Sequence, residues 1–173
     1  TLGGTATSVA GLVMNTGNTA DVFSNNGQNL TVTGGGAVTL SEGIFTVTGG
    51  TVVLGAGAFT ANAGAEVNHT GGRIQAAATT MDLSTMAMWS SSGGATTILE
   101  FVGGGGAQSL SVSGNVTLAT FTITNTNPVQ LAAGNLSITN NFDLRTTFTT
   151  NANQVTVGGN LFDGGGTSSL VAT

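Results

Sequence analysis

The feature that most constrains this chain is a five-residue phrase: apolar, Thr or Ser, apolar, Thr or Ser, then Gly or Asn. It stands at Leu30-Thr31-Val32-Thr33-Gly34, Phe45-Thr46-Val47-Thr48-Gly49, Leu110-Ser111-Val112-Ser113-Gly114, Phe121-Thr122-Ile123-Thr124-Asn125 and Leu136-Ser137-Ile138-Thr139-Asn140, with a variant at Val155-Thr156-Val157-Gly158-Gly159. Alternation with period two puts the apolar residues on one face of a strand and the hydroxyls on the other. The closing Gly or Asn supplies the permissive backbone of a corner. Shorter triplets such as Val38-Thr39-Leu40, Val116-Thr117-Leu118, Val129-Gln130-Leu131 and Phe142-Asp143-Leu144 follow six to eight residues after the start of a phrase. That distance fits a strand of about five residues and a short corner. Helical periodicity is nearly missing.

Two architectures accept this punctuation. An antiparallel β-sandwich needs primed hairpin turns, and Asn26-Gly27 is the strong signal of that kind. A parallel β-solenoid needs near-identical strands, small corner residues and Asn at corners, which Gly114-Asn115, Gly134-Asn135 and Gly159-Asn160 provide. The solenoid is the better fit: one domain over residues 1–173, with three strands per coil of about twenty residues and seven to eight irregular coils. Leu30, Val32, Val47, Leu110, Val112, Phe121, Ile123, Leu136, Ile138, Val155 and Val157 are expected to form its apolar column. Residues 75–97 lack clear alternation and read as an irregular coil or lateral insertion. They hold Met81, Met86, Met88 and the single Trp, Trp89, of which Met86, Met88 and Trp89 would serve as a subunit contact if exposed.

Composition narrows the function. Only 5% of residues are charged, against about 25% in ordinary domains, and there is no Lys. Two Arg and a net charge of −5 are incompatible with neutralising nucleic-acid phosphates or holding an anionic lipid surface. No apolar run is long enough to insert into a membrane. Cysteine is absent, so no disulfide contributes. A surface of hydroxyls, amides and backbone reads as extracellular or cell-surface. The first residues lack the charged start of a signal peptide, so the chain reads as a mature protein or a fragment.

Catalytic chemistry finds little to work with. His69 is the only His, three residues after Glu66, and on a strand those two side chains point to opposite faces. It reads as a solvated or stacked His. No Gly-x-Ser-x-Gly elbow is present. The seven acids, Asp21, Glu42, Glu66, Asp82, Glu100, Asp143 and Asp163, are spread about one per coil, whereas sugar-cleaving solenoids need clustered carboxylates. Asp143 and Arg145 form the one local acid–base pair and read as a surface ion pair. Asp163-Gly164-Gly165-Gly166 lacks the repeat of a glycine-rich calcium loop, and Gly103–Gly106 lacks the Lys-Ser/Thr of a phosphate loop. The expectation is no enzyme, no cofactor and no metal. Thr31/Thr33, Thr46/Thr48 and Thr122/Thr124 raise an ice-binding plane, but only if they share one face. Sequons at Asn29, Asn68, Asn115 and Asn135 fit chance in a chain so rich in Asn and Thr.

The run Ile98-Leu99-Glu100-Phe101-Val102-Gly103 through Gln108-Ser109-Leu110-Ser111-Val112-Ser113-Gly114, with the later phrases, resembles the β-strand-repeat surface proteins of bacteria. That group includes autotransporter-type passengers and haemagglutinin-like adhesins. The resemblance covers residues 98–162 well and 28–60 less tightly. It implies a right-handed parallel β-helix, extracellular, with structural or adhesive work, and brings no catalytic residues. Residues 1–20 and 164–173 carry no charge, so each end is expected to meet another copy head to tail, or further coils of a longer chain. The expected role is a structural subunit of an extracellular filament or sheath. The alternative is a segment of a large adhesin that binds a glycan or host surface.

Overall fold

A computed structural model of the protein describes residues 7–103, 105–164 and 168–172. They form nineteen β-strands and one turn of 3₁₀ helix, Gly94–Thr96, and every strand pairing is parallel. This excludes the antiparallel sandwich. The chain winds as a β-solenoid of about seven turns with three sheets in the unvarying order A, B, C. Sheet A begins at Thr7–Val9 and Leu30–Val32, then continues through 52–54, 73–76, Ile98–Phe101, Thr120–Ile123, Phe142–Leu144 and Leu161–Asp163. Sheet B runs from Leu12–Met14 through 38–40, 59–61, Thr80–Leu83, Gln108–Val112, Val129–Ala133 and Thr147–Thr149 to Ser169–Val171. Sheet C runs from Val22–Ser24 through 44–47, 66–69, Met88–Ser91, Val116–Leu118 and Leu136–Ile138 to Val155–Val157.

Coil length varies at the corners while the strands stay in register. Leu30 pairs with Val52 and Val52 with Ile74, a step of 22 residues. The step from Thr80 to Ser109 is 29, and that from Phe142 to Leu161 is 19. In the second and third described coils the strands run into one another around the corners, giving the long elements Val38–Leu54 and Phe59–Ala76. Several Asn side chains bond the backbone of an adjacent coil rather than one another. Asn25 Nδ2 donates to Gly49 O at 2.7 Å, Asn115 Nδ2 to Ala87 O at 3.0 Å, and Asn135 Oδ1 accepts from Gln154 N–H at 2.9 Å.

Inward residues form one apolar column. Leu30, Val32, Val47, Leu110, Val112, Phe121, Ile123, Leu136 and Ile138 are buried in it, as expected, whereas Val155 and Val157 are only half-buried because they lie in the last coil. Between sheets A and B the Phe rings concentrate. Phe121 stacks on Phe142 with centroids 5.3 Å apart, and Phe148 meets both edge-on. The segment 75–97 departs from the expected insertion: Thr80–Leu83 and Met88–Ser91 continue sheets B and C in register. Irregularity is confined to the corners around them. Among the described residues no helix is long and apolar enough to cross a membrane.

Candidate functional site

Two places on this scaffold depart from a closed, hydroxyl-covered rod. One is a charged cleft on the outer face of sheet A, and the other is the pair of ends.

On sheet A, strand pairing sets Gln75, Glu100, Thr122, Asp143 and Phe162 in one outward file, each on successive rungs about 4.8 Å apart. Beside it, Arg73, Ile98 and Thr120 form a second file. Apart from Gln75, the two files line a cleft of about 260 Å³ that also takes in Thr124, Asn141 and Arg145. Both cationic side chains of the chain therefore lie in this one cleft. Glu100 is 5% exposed and accepts from Arg73 Nη1 at 2.5 Å, Gln75 Nε2 at 2.9 Å and Thr124 Oγ1 at 2.9 Å. Burial pushes its carboxyl up. The three donors and the Arg73 charge outweigh that and hold it below the usual value. Two rungs away, Arg145 Nη2 donates to Asp143 Oδ2 at 3.2 Å. Between the pairs, the Thr120 hydroxyl oxygen is buried and makes no hydrogen bond.

The Asp143–Arg145 pair is where the sequence puts it. The Arg73–Glu100 pair is not legible there, because 27 residues separate its members and only the coil length brings them together. Among the described residues no three His, Cys, Asp or Glu gather in a metal-binding group.

At the ends the apolar column opens. The first coil leaves Val9, Leu12 and Phe23 only half-buried. It also holds a hollow of about 510 Å³ lined by Leu12, Val13, Met14, Val22 and Phe23 together with the polar Asn15, Thr16 and Asp21. In the last coil, Leu161 and Leu170 continue the buried rows of Phe142 and Phe148 yet are 50% and 46% exposed. Apart from Met88, every large exposed apolar residue among those described lies in a terminal coil.

Other expected features sit elsewhere. Trp89 and Met86 are buried in the column, and of the three residues read as a contact only Met88 is exposed. The Met/Trp patch is therefore corrected to core packing. The alternation on Met88–Ser91 points the indole inward, in register with Val67 below and Val116 above. His69 is buried against the edge of that indole at 6.3 Å, and its Nε2 donates to Gly72 O at 3.2 Å. Nδ1 is then a buried acceptor with no partner. Burial lowers its pKa to about 4, against a smaller opposing effect of the Gly72 bond. Glu66 faces away from it, on the outer row of Met88. Thr46 lies on sheet C, and Thr31 and Thr122 share a file of sheet A but stand four rungs apart with Val53, Gln75 and Glu100 between them, so the Thr pairs form no continuous plane. Asn29, Asn115 and Asn135 each engage the backbone of a neighbouring coil. Residue 104 of the first glycine run, residues 165 and 166 of the second, and parts of both terminal stretches lie outside the described residues.

In comparisons with protein families, curated proteins and solved structures, nothing matches the chain.

Proposed function

We propose that this protein is a structural subunit of an extracellular filament or sheath that assembles end to end. The observation that carries this reading is the apolar column left open in both terminal coils, by Leu12 and Phe23 at one end and Leu161 and Leu170 at the other. Parallel strands make the two ends different: the free edge of a last coil, with Leu161–Asp163 on sheet A and Ser169–Val171 on sheet B, can pair in parallel with Thr7–Val9 and Leu12–Met14 of the next copy. Such a contact is heterologous and does not close, so it generates an open fibre. Burying a half-exposed Leu contributes on the order of 1 kcal/mol at about 25 cal/mol per Å², and parallel hydrogen bonding on sheets A and B adds to it.

The low charge and Thr/Asn/Gly surface, and the resemblance to bacterial surface repeats, support an extracellular address. The absence of a catalytic constellation in the sequence supports mechanical work. The role is tested by electron microscopy and sedimentation of the 173-residue chain over a concentration series at neutral pH. Filaments with an axial repeat of about 38 Å, from the eight rungs of sheets A and B at about 4.8 Å each, are expected. Leu161→Lys with Leu170→Lys should return the chain to monomers. A monomer that persists at millimolar concentration overturns the reading.

A further inference from the structure

We propose that the cleft on sheet A is a binding site for a neutral sugar ring of a glycan. It lies on the outer face of sheet A, and only its rim residue Phe162 belongs to the last coil. The chain holds few charges, yet Arg73, Glu100, Asp143 and Arg145 converge on one cleft. A buried carboxylate such as Glu100 is costly to desolvate, and surface stability gives no reason to build one into an outer face. Its three donors fix both of its oxygens in place, which is the arrangement of a preorganised acceptor.

Four further observations point to a ligand and to its chemistry. Thr120 is 6% exposed, lines the cleft, and leaves its hydroxyl without a partner, so the site holds an unmet hydrogen-bonding group. Phe162, on the rung after Asp143, is 48% exposed and offers an apolar platform at the rim. The inward Phe121 and Phe142 stack directly behind this floor and stiffen it. The volume of about 260 Å³ lies just under the usual range for small-molecule sites and is enough for one ring.

Charge decides the ligand class. Each guanidinium is already matched by a carboxylate at 2.5 Å or 3.2 Å, so the cleft is neutral in sum. An anion would compete with Glu100 and Asp143, and a cation with Arg73 and Arg145. A neutral polyol meets no such competition. Its hydroxyls donate to the carboxylates and accept from the guanidiniums and Thr120 in charge-assisted bonds, while its C–H face rests on Phe162.

The test is retention of the protein on beads bearing glucose, galactose, mannose or N-acetylglucosamine, beside beads bearing glucuronate or glucosamine. Elution uses the matching free methyl glycoside. At least one neutral sugar is expected to retain the chain and both charged sugars to fail. Thr120→Val keeps the shape and removes only the hydroxyl, and Phe162→Ala alters only an exposed ring. Each should weaken the apparent affinity about tenfold, equivalent to about 1.4 kcal/mol, with an unchanged melting temperature reporting an intact fold. Retention on no neutral sugar, preference for glucuronate or glucosamine, or retention unaffected by both variants overturns the proposal.

Discussion

His69 shows how one residue couples the buried column to pH. Its folded pKa of about 4 lies below the ordinary 6.5, so the unfolded chain binds a proton in this range that the folded chain refuses. Stability is therefore complete above pH 6.5 and falls as pH drops toward 4, by about 2 kcal/mol at pH 5 and about 3 kcal/mol at pH 4. Glu100, whose pKa is lowered, acts in a different window. Its contribution is present above the ordinary carboxyl value of 4.5 and is lost only below it. Urea unfolding at pH 7 and pH 5 thus isolates the imidazole, and His69→Leu should abolish the difference between them. The corner residues make a second prediction at this scale. Gly134 has φ +79°, and a Cβ there would lie 1.9 Å from Val112 O, so Gly134→Ala should cost at least about 2 kcal/mol. Gly114 has no such φ and nothing within 4 Å, so Gly114→Ala should be neutral or gain up to about 1 kcal/mol. Thermal melts of the two variants separate a corner that needs glycine from one that merely contains it.

At the scale of the strand, alternation was legible because the physics of a pleat is local: Leu30, Val32, Leu110 and Val112 face inward as their period demands. Trp89 follows the same rule, but the Met-rich sequence around it hides the strand, and corners at residues 84–87 and 92–97 break the rhythm. The irregular phrase spacing also has a geometric cause. Leu30 and Phe121 lie on sheet A, Leu110 on sheet B, and Phe45, Leu136 and Val155 on sheet C, so intervals of 11 and 15 are steps between faces. The interval of 19 from Leu136 to Val155 is one full coil. The cleft was half visible. Asp143 and Arg145 are neighbours on one strand, whereas Arg73 meets Glu100 only because a coil of 25 residues carries Arg73 onto Ile98. Corner lengths of that kind leave no periodic trace. The Phe stack behind the cleft supplies the prediction for this scale. Phe142→Ala should destabilise by about 3–5 kcal/mol in chemical denaturation, because Phe121 and Phe148 lose a packed ring between two sheets. Phe162→Ala, on an exposed ring, should cost well under 1 kcal/mol.

For the whole molecule the governing fact is that each coil touches only its neighbours along the axis, so stability is nearly a sum of coil and interface contributions. An interior coil has two interfaces and a terminal coil one. The coils around 73–76 and Ile98–Phe101, in the middle of the stack with fully buried Ile74, Leu99 and Phe101, should therefore open least often. Those holding Leu12–Met14 and Leu161–Asp163 should open most. Hydrogen exchange read by mass spectrometry makes this quantitative, with protection highest in the centre and declining toward both ends in the monomer. Head-to-tail assembly predicts a specific change above the polymerising concentration. Peptides from residues 7–24 and from 155–163 gain protection together, because one end of each copy buries the other end of its neighbour, while the central coils stay as they were. Protection gained at only one end would mean a symmetric contact between like ends, which closes as a dimer and cannot grow a fibre. That outcome would remove the filament and leave the solenoid as a scaffold for its cleft.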